Sequence, residues 1–152
     1  NPKVIEFNCR FGDPETQPVM LRLESSLVLL IEAAFAKALD KVEAQWDPRP
    51  SLGVVLAAGG YPGDYAKGDV INGLDAAAKI EGKVFHAGTA LKDGQVTTNG
   101  GRVLCATAMG STVADAQQQA YRLAKEVSWN GSFYRTDIGY RAIARERGEH
   151  QQ

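Results

Sequence analysis

The sequence predicts a mixed α+β chain, with a strand and a long helix first and a small, mostly antiparallel β domain with flanking helices after them. Residues 3–10 alternate between apolar and polar side chains, which is the period of a strand with one buried face. Residues 18–39 carry apolar side chains at spacings of three and four, which predicts one long amphipathic helix that packs on a sheet or core. Further on, short apolar runs are separated by Asp93-Gly94 and Asn99-Gly100, two dipeptides typical of hairpins.

The elements of the second half follow from the same patterns. Strands are predicted at residues 52–58, 69–71, 83–87, 95–98 and 102–108, and helices at 113–127 and 138–147. Ser111 or Thr112 would cap the first of these helices, because a hydroxyl there accepts hydrogen bonds from the first turn. The long helix near the start would begin at Pro14 with Asp13 as its cap, or at Pro18 with Gln17 as its cap.

The composition excludes several classes of protein. The chain has 152 residues, 44% of them hydrophobic, and a net charge of −1, which fits a globular protein and argues against a nucleic-acid binder or a polybasic membrane module. No apolar run approaches the roughly 18 residues that a membrane span needs. The two cysteines, Cys9 and Cys105, cannot form a disulfide scaffold or a four-thiolate zinc site, and both are expected to be buried. A cytoplasmic location follows as the expectation.

A proline-rich segment divides the chain. Residues 46–50 contain two prolines and predict a boundary between a unit at 1–45 and a second at 51–148. The chain begins at Asn1 with a strand pattern within three residues and nothing before it to pair with that strand. This predicts a piece of a longer protein, although a processed terminus would look the same.

The first predicted strand carries side chains that suit a metal-bound phosphate. Its apolar face would hold Ile5, Phe7 and Cys9, and its polar face Glu6, Asn8 and Arg10. A carboxylate and an amide oxygen are ligands that magnesium or manganese accepts, and an arginine one step further can grip a phosphate. On spacing alone, an ordinary solvated strand face explains these polar residues better.

Residues 10–17 favour the metal-binding interpretation over the solvated strand face. Residues 10–17, with the sequence RFGDPETQ, resemble the signature of the phosphoribosylamine–glycine ligase family, which belongs to the ATP-grasp ligases. Further stretches resemble the family in the same order, at residues 52–55, 59–65, 84–89, 98–104 and 137–142. The resemblance therefore covers nearly the whole chain.

The resemblance implies an activity and its partners. The family joins glycine to 5-phosphoribosylamine at the expense of ATP, through a glycyl phosphate, and releases glycinamide ribonucleotide, ADP and phosphate in purine biosynthesis. It implies that Glu6 and Asn8 bind Mg²⁺ or Mn²⁺, that Asn8 and Arg10 contact ATP, and that Arg10 is catalytic because it stabilises charge on the transferred phosphoryl group. Gly12, Asp13 and Glu15 fall in the substrate-binding loop, with either substrate open as their partner.

The resemblance also implies what lies outside the chain. Residues 1–45 would be the last strand and long helix of an ATP-grasp core, and 51–148 the carboxy-terminal domain of the ligase. The adenine pocket, the phosphate lid and the amino-terminal domain would come earlier, so the 152 residues alone are predicted to be inactive. Two alternatives are a related ATP-grasp ligase and a non-catalytic assembly or regulatory module.

Other polar positions are more ambiguous. Residues 59–64 are either a ligand-binding loop or a tight turn that needs glycine. His86 is expected to be structural rather than catalytic. Arg135, Asp137 and Arg141 predict surface pairs, with a small anion site as the alternative.

Overall fold

The computed structural model describes residues 2–5, 7 and 9–148. Five α-helices and five strands lie within these residues: α1 Thr16–Arg22, α2 Leu27–Phe35, β1 Ser51–Ala57, α3 Leu74–Ala77, β2 Lys83–His86, β3 Thr89–Lys92, β4 Gln95–Thr98, β5 Arg102–Met109, α4 Val113–Glu126 and α5 Tyr140–Glu146. A short 3₁₀ helix spans Leu39–Lys41. This mixed architecture with antiparallel sheets confirms the predicted fold class.

The strands form two antiparallel sheets. In the larger one β5 is central, with β1 on one side and β2 on the other, and Val54 of β1 lies opposite Ala106. In the smaller one β3 pairs with β4, and a backbone hydrogen bond of 2.9 Å from Ile71 N to Val96 O ties the preceding segment to it. The predicted strand at 69–71 is therefore reduced to a bridge between Val70 and Thr97.

One face of the larger sheet and helix α4 enclose the core. Alternate residues of β1 are buried, as period two requires of a strand covered on that face. The central buried set is Leu52, Val54, Leu56, Val103, Leu104, Ala106, Ala108, Ala116, Ala120, Leu123 and Ala124. Helix α4 begins with a capping box, in which Thr112 Oγ1 accepts from Asp115 N at 3.1 Å and the Asp115 carboxylate accepts from Thr112 N. The predicted cap at Thr112 is confirmed.

Helix α1 covers part of the other face of the sheet. A Cβ on Gly53 would lie 2.9 Å from Cys105 Sγ and 3.1 Å from Pro18 Cγ, so the absence of a side chain there lets the helix approach the sheet. Ser51 Oγ donates to Pro18 O at 2.7 Å and fixes the same approach. The start of the chain is thereby joined to the β domain.

The predicted strand at residues 3–10 is wrong for the described part of that segment. No strand is assigned there, and the side chains of Ile5 and Phe7 are 97% and 87% exposed. A strand needs a partner for its backbone groups, and no described segment pairs with this one. Cys9 is exposed, contrary to prediction, for the same reason, whereas Cys105 is buried as expected.

The single long helix predicted at 18–39 is also wrong, because the chain breaks it into α1 and α2. Leu23 leaves the helical region and forms a bridge with Trp46, and Ser26 then caps α2 by accepting from Leu29 N. Helix α1 begins after Glu15, not after Asp13 or Gln17. Neither helix has a buried residue, but α1 packs on β1 and β5 whereas α2 mainly contacts the 3₁₀ helix, so the predicted packing on the sheet holds for α1.

The two hairpin signals have different outcomes. Asp93 and Gly94 both have positive φ, 49° and 77°, and join β3 to β4 as predicted. Asn99-Gly100 is not a hairpin turn, because β4 and β5 belong to different sheets. A Cβ on Gly100 would lie 2.9 Å from Gly88 Cα, so this glycine serves a close approach of two backbones.

The two thiols are expected to differ in reactivity. Burial raises the pKa of Cys105, whose Sγ lies 3.4 Å from Thr107 Oγ1, while Cys9 is exposed. Ellman's reagent should therefore modify one thiol rapidly in the folded chain and the second after denaturation. Cys9→Ser should abolish the fast phase; a fast phase that survives this substitution would contradict the assignment.

The boundary segment contains an ion pair that should be visible in a titration. Arg49 donates to both carboxylate oxygens of Asp47, with Nη2 to Oδ2 at 2.7 Å, and lowers the pKa of Asp47 from 3.8 to about 2. Because the folded pKa is the lower one, the pair stabilises the fold above pH 3.8, and this contribution is lost as the pH falls towards 2. NMR titration should find the Asp47 carboxyl near 2 and Arg49→Gln should move it upwards; an unchanged value would contradict the pairing.

Candidate functional site

Three glycine-containing segments meet at the amino end of β5. Gly88 N donates to Arg102 O at 2.9 Å and Asn99 N donates to Gly88 O at 2.7 Å, which places residues 88 and 99–102 side by side. A Cβ on Gly88 would lie 2.7 Å from Gly100 Cα, so neither backbone leaves room for a side chain. The structure thus brings together two stretches that are 10 or more residues apart in the sequence.

The loop at residues 59–65 closes over the same place. Ala58 N donates to Gly101 O at 2.8 Å, and a Cβ on Gly101 would lie 2.2 Å from Tyr61 Cδ2 and 3.0 Å from Tyr65 Cε1. The two tyrosine rings, with centroids 6.3 Å apart, therefore cover the backbone of Gly101. Gly60 has φ +95° and Gly63 N donates to its carbonyl at 2.8 Å, which supports the tight-turn interpretation of this loop.

The predicted substrate loop lies next to this cluster. Arg102 Nη2 is 3.0 Å from Asp13 Oδ2, with both side chains almost half exposed. Glu15 folds back so that its carboxylate lies against the α-carbon of Gly12, and Thr16 N donates to Gly12 O at 3.1 Å. Gly12, Asp13 and Glu15 are thus held in one compact turn that opens helix α1.

The predicted metal and phosphate residues are less completely described. Glu6 and Asn8 lie outside the described residues, so their role as ligands stays a prediction. Arg10 is exposed, and its Nη1 donates to Phe11 O at 3.2 Å. Among the residues that the structure describes, no three His, Cys, Asp or Glu side chains are grouped to hold a metal ion.

The remaining polar candidates have local partners. His86 Nδ1 lies 3.1 Å from Thr89 Oγ1, which is a structural contact beside the glycine cluster. Arg135 donates to both oxygens of Asp137, at 2.9 and 2.7 Å, and the pKa of Asp137 is lowered by these bonds. Arg141 lies over the Tyr140 ring, 5.6 Å from its centroid. Arg135 and Asp137 therefore form the predicted surface pair.

Arg102 was missed as a site residue in the sequence analysis. Arg102 lies in the stretch at residues 98–104 that resembles the family, and this was the one sequence signal that could have indicated a role in the site. Its partner Asp13 is 89 positions away in the sequence. Only the fold shows that Arg102 pairs with Asp13 of the predicted substrate loop.

The fold defines a mixed α+β domain with two antiparallel sheets, against which the turn at residues 12–16 is held by Arg102. Residues 51–141 match the family model described as Phosphoribosylglycinamide synthetase, C domain, and the chain belongs to that family. Within the described residues, no helix is long and apolar enough to cross a membrane.

The similar proteins described below share the name phosphoribosylamine–glycine ligase. The chain is 98% identical over 152 residues to the phosphoribosylamine–glycine ligase of Pseudomonas putida, covering all of this chain and 35% of that protein. It is 82% identical over 148 residues to the ligase of the same name from Pseudomonas aeruginosa, covering 97% of this chain and 34% of that protein. The crystal structure of the Thermotoga maritima ligase matches with a TM-score of 0.65 and 37% identity, over 90% of this chain and 33% of that one. The chain thus spans about a third of the length of these relatives.

Proposed function

We propose that this chain forms part of an ATP-dependent ligase that joins glycine to 5-phosphoribosylamine, giving glycinamide ribonucleotide, ADP and phosphate in purine biosynthesis through a glycyl phosphate. The observation that carries the proposal is the signature loop at residues 10–17, seated against the domain by the ion pair of Asp13 and Arg102. The common name of the relatives supports this ligase over a related ATP-grasp enzyme. A cytoplasmic location is part of the proposal and fits two cysteines that are both free.

Three residues are proposed to bind ATP and the metal ion. Glu6 supplies a carboxylate and Asn8 an amide oxygen, a donor set that suits Mg²⁺ or Mn²⁺. The metal, when bound, neutralises charge on the phosphates of ATP. Asn8 and Arg10 contact ATP, and Arg10 adds a fixed cation where the transferred phosphoryl group gains charge.

The turn at Gly12, Asp13 and Glu15 is proposed to face the substrates. Two carboxylates so close to the predicted phosphate-binding segment suit the ammonium of glycine or the amine of phosphoribosylamine. The compact backbone of this turn supports a preorganised surface rather than a flexible one, because Thr16 holds the Gly12 carbonyl.

The proposal is tested by placing this chain inside a complete ligase. In the exchanged ligase, residues 1–152 replace the matching third of the Pseudomonas putida protein. This enzyme should form glycinamide ribonucleotide, whereas the isolated 152 residues should form none. Glu6→Ala and Asn8→Ala in the exchanged enzyme should each remove most of the magnesium-dependent turnover, because the metal supplies several kcal/mol of charge stabilisation.

Glu43→Ala is the matched control, since this carboxylate is exposed and lies away from the signature loop in the sequence. It should leave the rate unchanged. Product from the isolated chain would overturn the predicted inactivity. Full magnesium-dependent rates in both the Glu6 and Asn8 variants would overturn the metal assignment, and an inactive exchanged enzyme would overturn the function.

A further inference from the structure

We propose that Arg102 is a positioning residue of the ligase, which sets the place of the substrate loop by pairing with Asp13. The inference rests on the proposed function for its kinetic consequence. Its geometric basis, a cation on the β domain gripping an anion in the signature loop at 3.0 Å, stands independently of that function.

The backbone of Arg102 is held rigidly. Its carbonyl accepts from Gly88 N at 2.9 Å, and the preceding Gly101 is covered by the rings of Tyr61 and Tyr65. Arg102 is also the first residue of β5, the central strand of the larger sheet. A side chain anchored on such an element places its charge more reproducibly than one on a free loop.

Apart from the ion pair, a contact that joins this part of the chain to the sheet lies further along, in helix α1. Thr16 bonds to Gly12 within the turn itself, and Ser51 Oγ reaches Pro18 O in helix α1 at 2.7 Å. These contacts fix the shape of the turn and the seat of the helix. The ion pair adds a direct link between the turn and the domain at Asp13, three positions after the predicted phosphate-binding Arg10.

The pair gives Asp13 a positioning role in addition to the substrate contact proposed above. Its Oδ2 is turned to Arg102, and the side chain is 46% exposed. An exposed ion pair contributes little to the free energy of unfolding. We therefore assign this pair the role of orienting the turn that contains Asp13. Small displacements of a substrate-positioning group cost rate steeply, which makes orientation a kinetic property.

The kinetic test reverses the charges in the exchanged ligase described above. Arg102→Asp and Asp13→Arg should each lower kcat/KM for glycine and phosphoribosylamine about tenfold through like-charge repulsion, with KM for ATP unchanged. The double reversal should restore at least half of the lost activity, and Arg102→Lys should retain most of it. If the double variant is no better than Asp13→Arg alone, the pairing of residues 13 and 102 does not set the activity and the proposal is wrong.

A second measurement does not depend on catalysis. In the 152-residue chain, Arg102→Gln should speed hydrogen exchange of the Thr16 amide several-fold, because the turn that protects it loses its link to the domain. Arg49→Gln is the matched control, since it breaks an ion pair of the same kind within the boundary segment. Unchanged exchange at Thr16 in Arg102→Gln would overturn the positioning role even if the ligase function holds. An inactive exchanged ligase with faster exchange would overturn the function alone.

Discussion

Replacing Leu123 with Ala is expected to lower the free energy of unfolding by about 2–5 kcal/mol. Leu123 is fully buried between α4 and the sheet, and the other buried residues of α4 are Ala116, Ala120 and Ala124. The helix therefore presents one large side chain among small ones, so no neighbour on α4 can fill the space that its removal leaves. Both the lost burial and the remaining cavity destabilise the fold.

Urea denaturation followed by circular dichroism measures this effect. Leu91→Ala is the matched control, because Leu91 undergoes the same chemical change while 76% exposed on strand β3. It should change the unfolding free energy by about 0.5 kcal/mol or less. Equal losses in the two variants would show that Leu123 is not a core residue and that α4 does not pack as described.

The parts of the fold that follow from local patterns were predictable from sequence. Strand β1 and helix α4 each show a clear period over their length, and the cap of α4 was placed at Ser111 or Thr112, of which the structure has Thr112. In such elements, the residues of the element itself predict both its secondary structure and the face that it buries.

The elements that depend on a partner were not predictable. The alternation at residues 3–10 predicts a strand only if another segment pairs with it, and none of the described segments does. Asn99-Gly100 has the sequence of a hairpin turn, but β5 pairs with β1 and β2 instead, and the glycine meets Gly88. A dipeptide does not specify which strands will be neighbours.

The same division applies to the candidate site. The signature loop at 10–17 was recognisable from its sequence, since its residues are contiguous. The ion pair of Asp13 with Arg102 joins two such stretches through space, and no periodicity or spacing indicates it. Contacts of this kind follow from the packing of α1 on the sheet, which itself depends on Gly53.

Replacing Gly73 with Ala is expected to cost about 3 kcal/mol or more in the free energy of unfolding. Gly73 has φ +85°, and a Cβ there would lie 1.7 Å from the carbonyl oxygen of Glu126. The left-handed conformation costs an ordinary residue about 1–2 kcal/mol. The clash adds to this, because Asn72 N and O bond to Ser128 at 2.9 and 3.1 Å, so moving the segment away breaks these hydrogen bonds.

Gly68→Ala separates the two causes. Gly68 has φ +91°, close to that of Gly73, but a Cβ there meets nothing within 4 Å. This variant should lose only the conformational cost, about 1–2 kcal/mol, as measured by the same urea denaturation. The difference between the two variants is then the cost of the close approach of residue 73 to the end of α4. A difference near zero would mean that the chain around Gly73 relaxes without cost, and that the bridge between Asn72 and Ser128 does not hold the end of α4 in place.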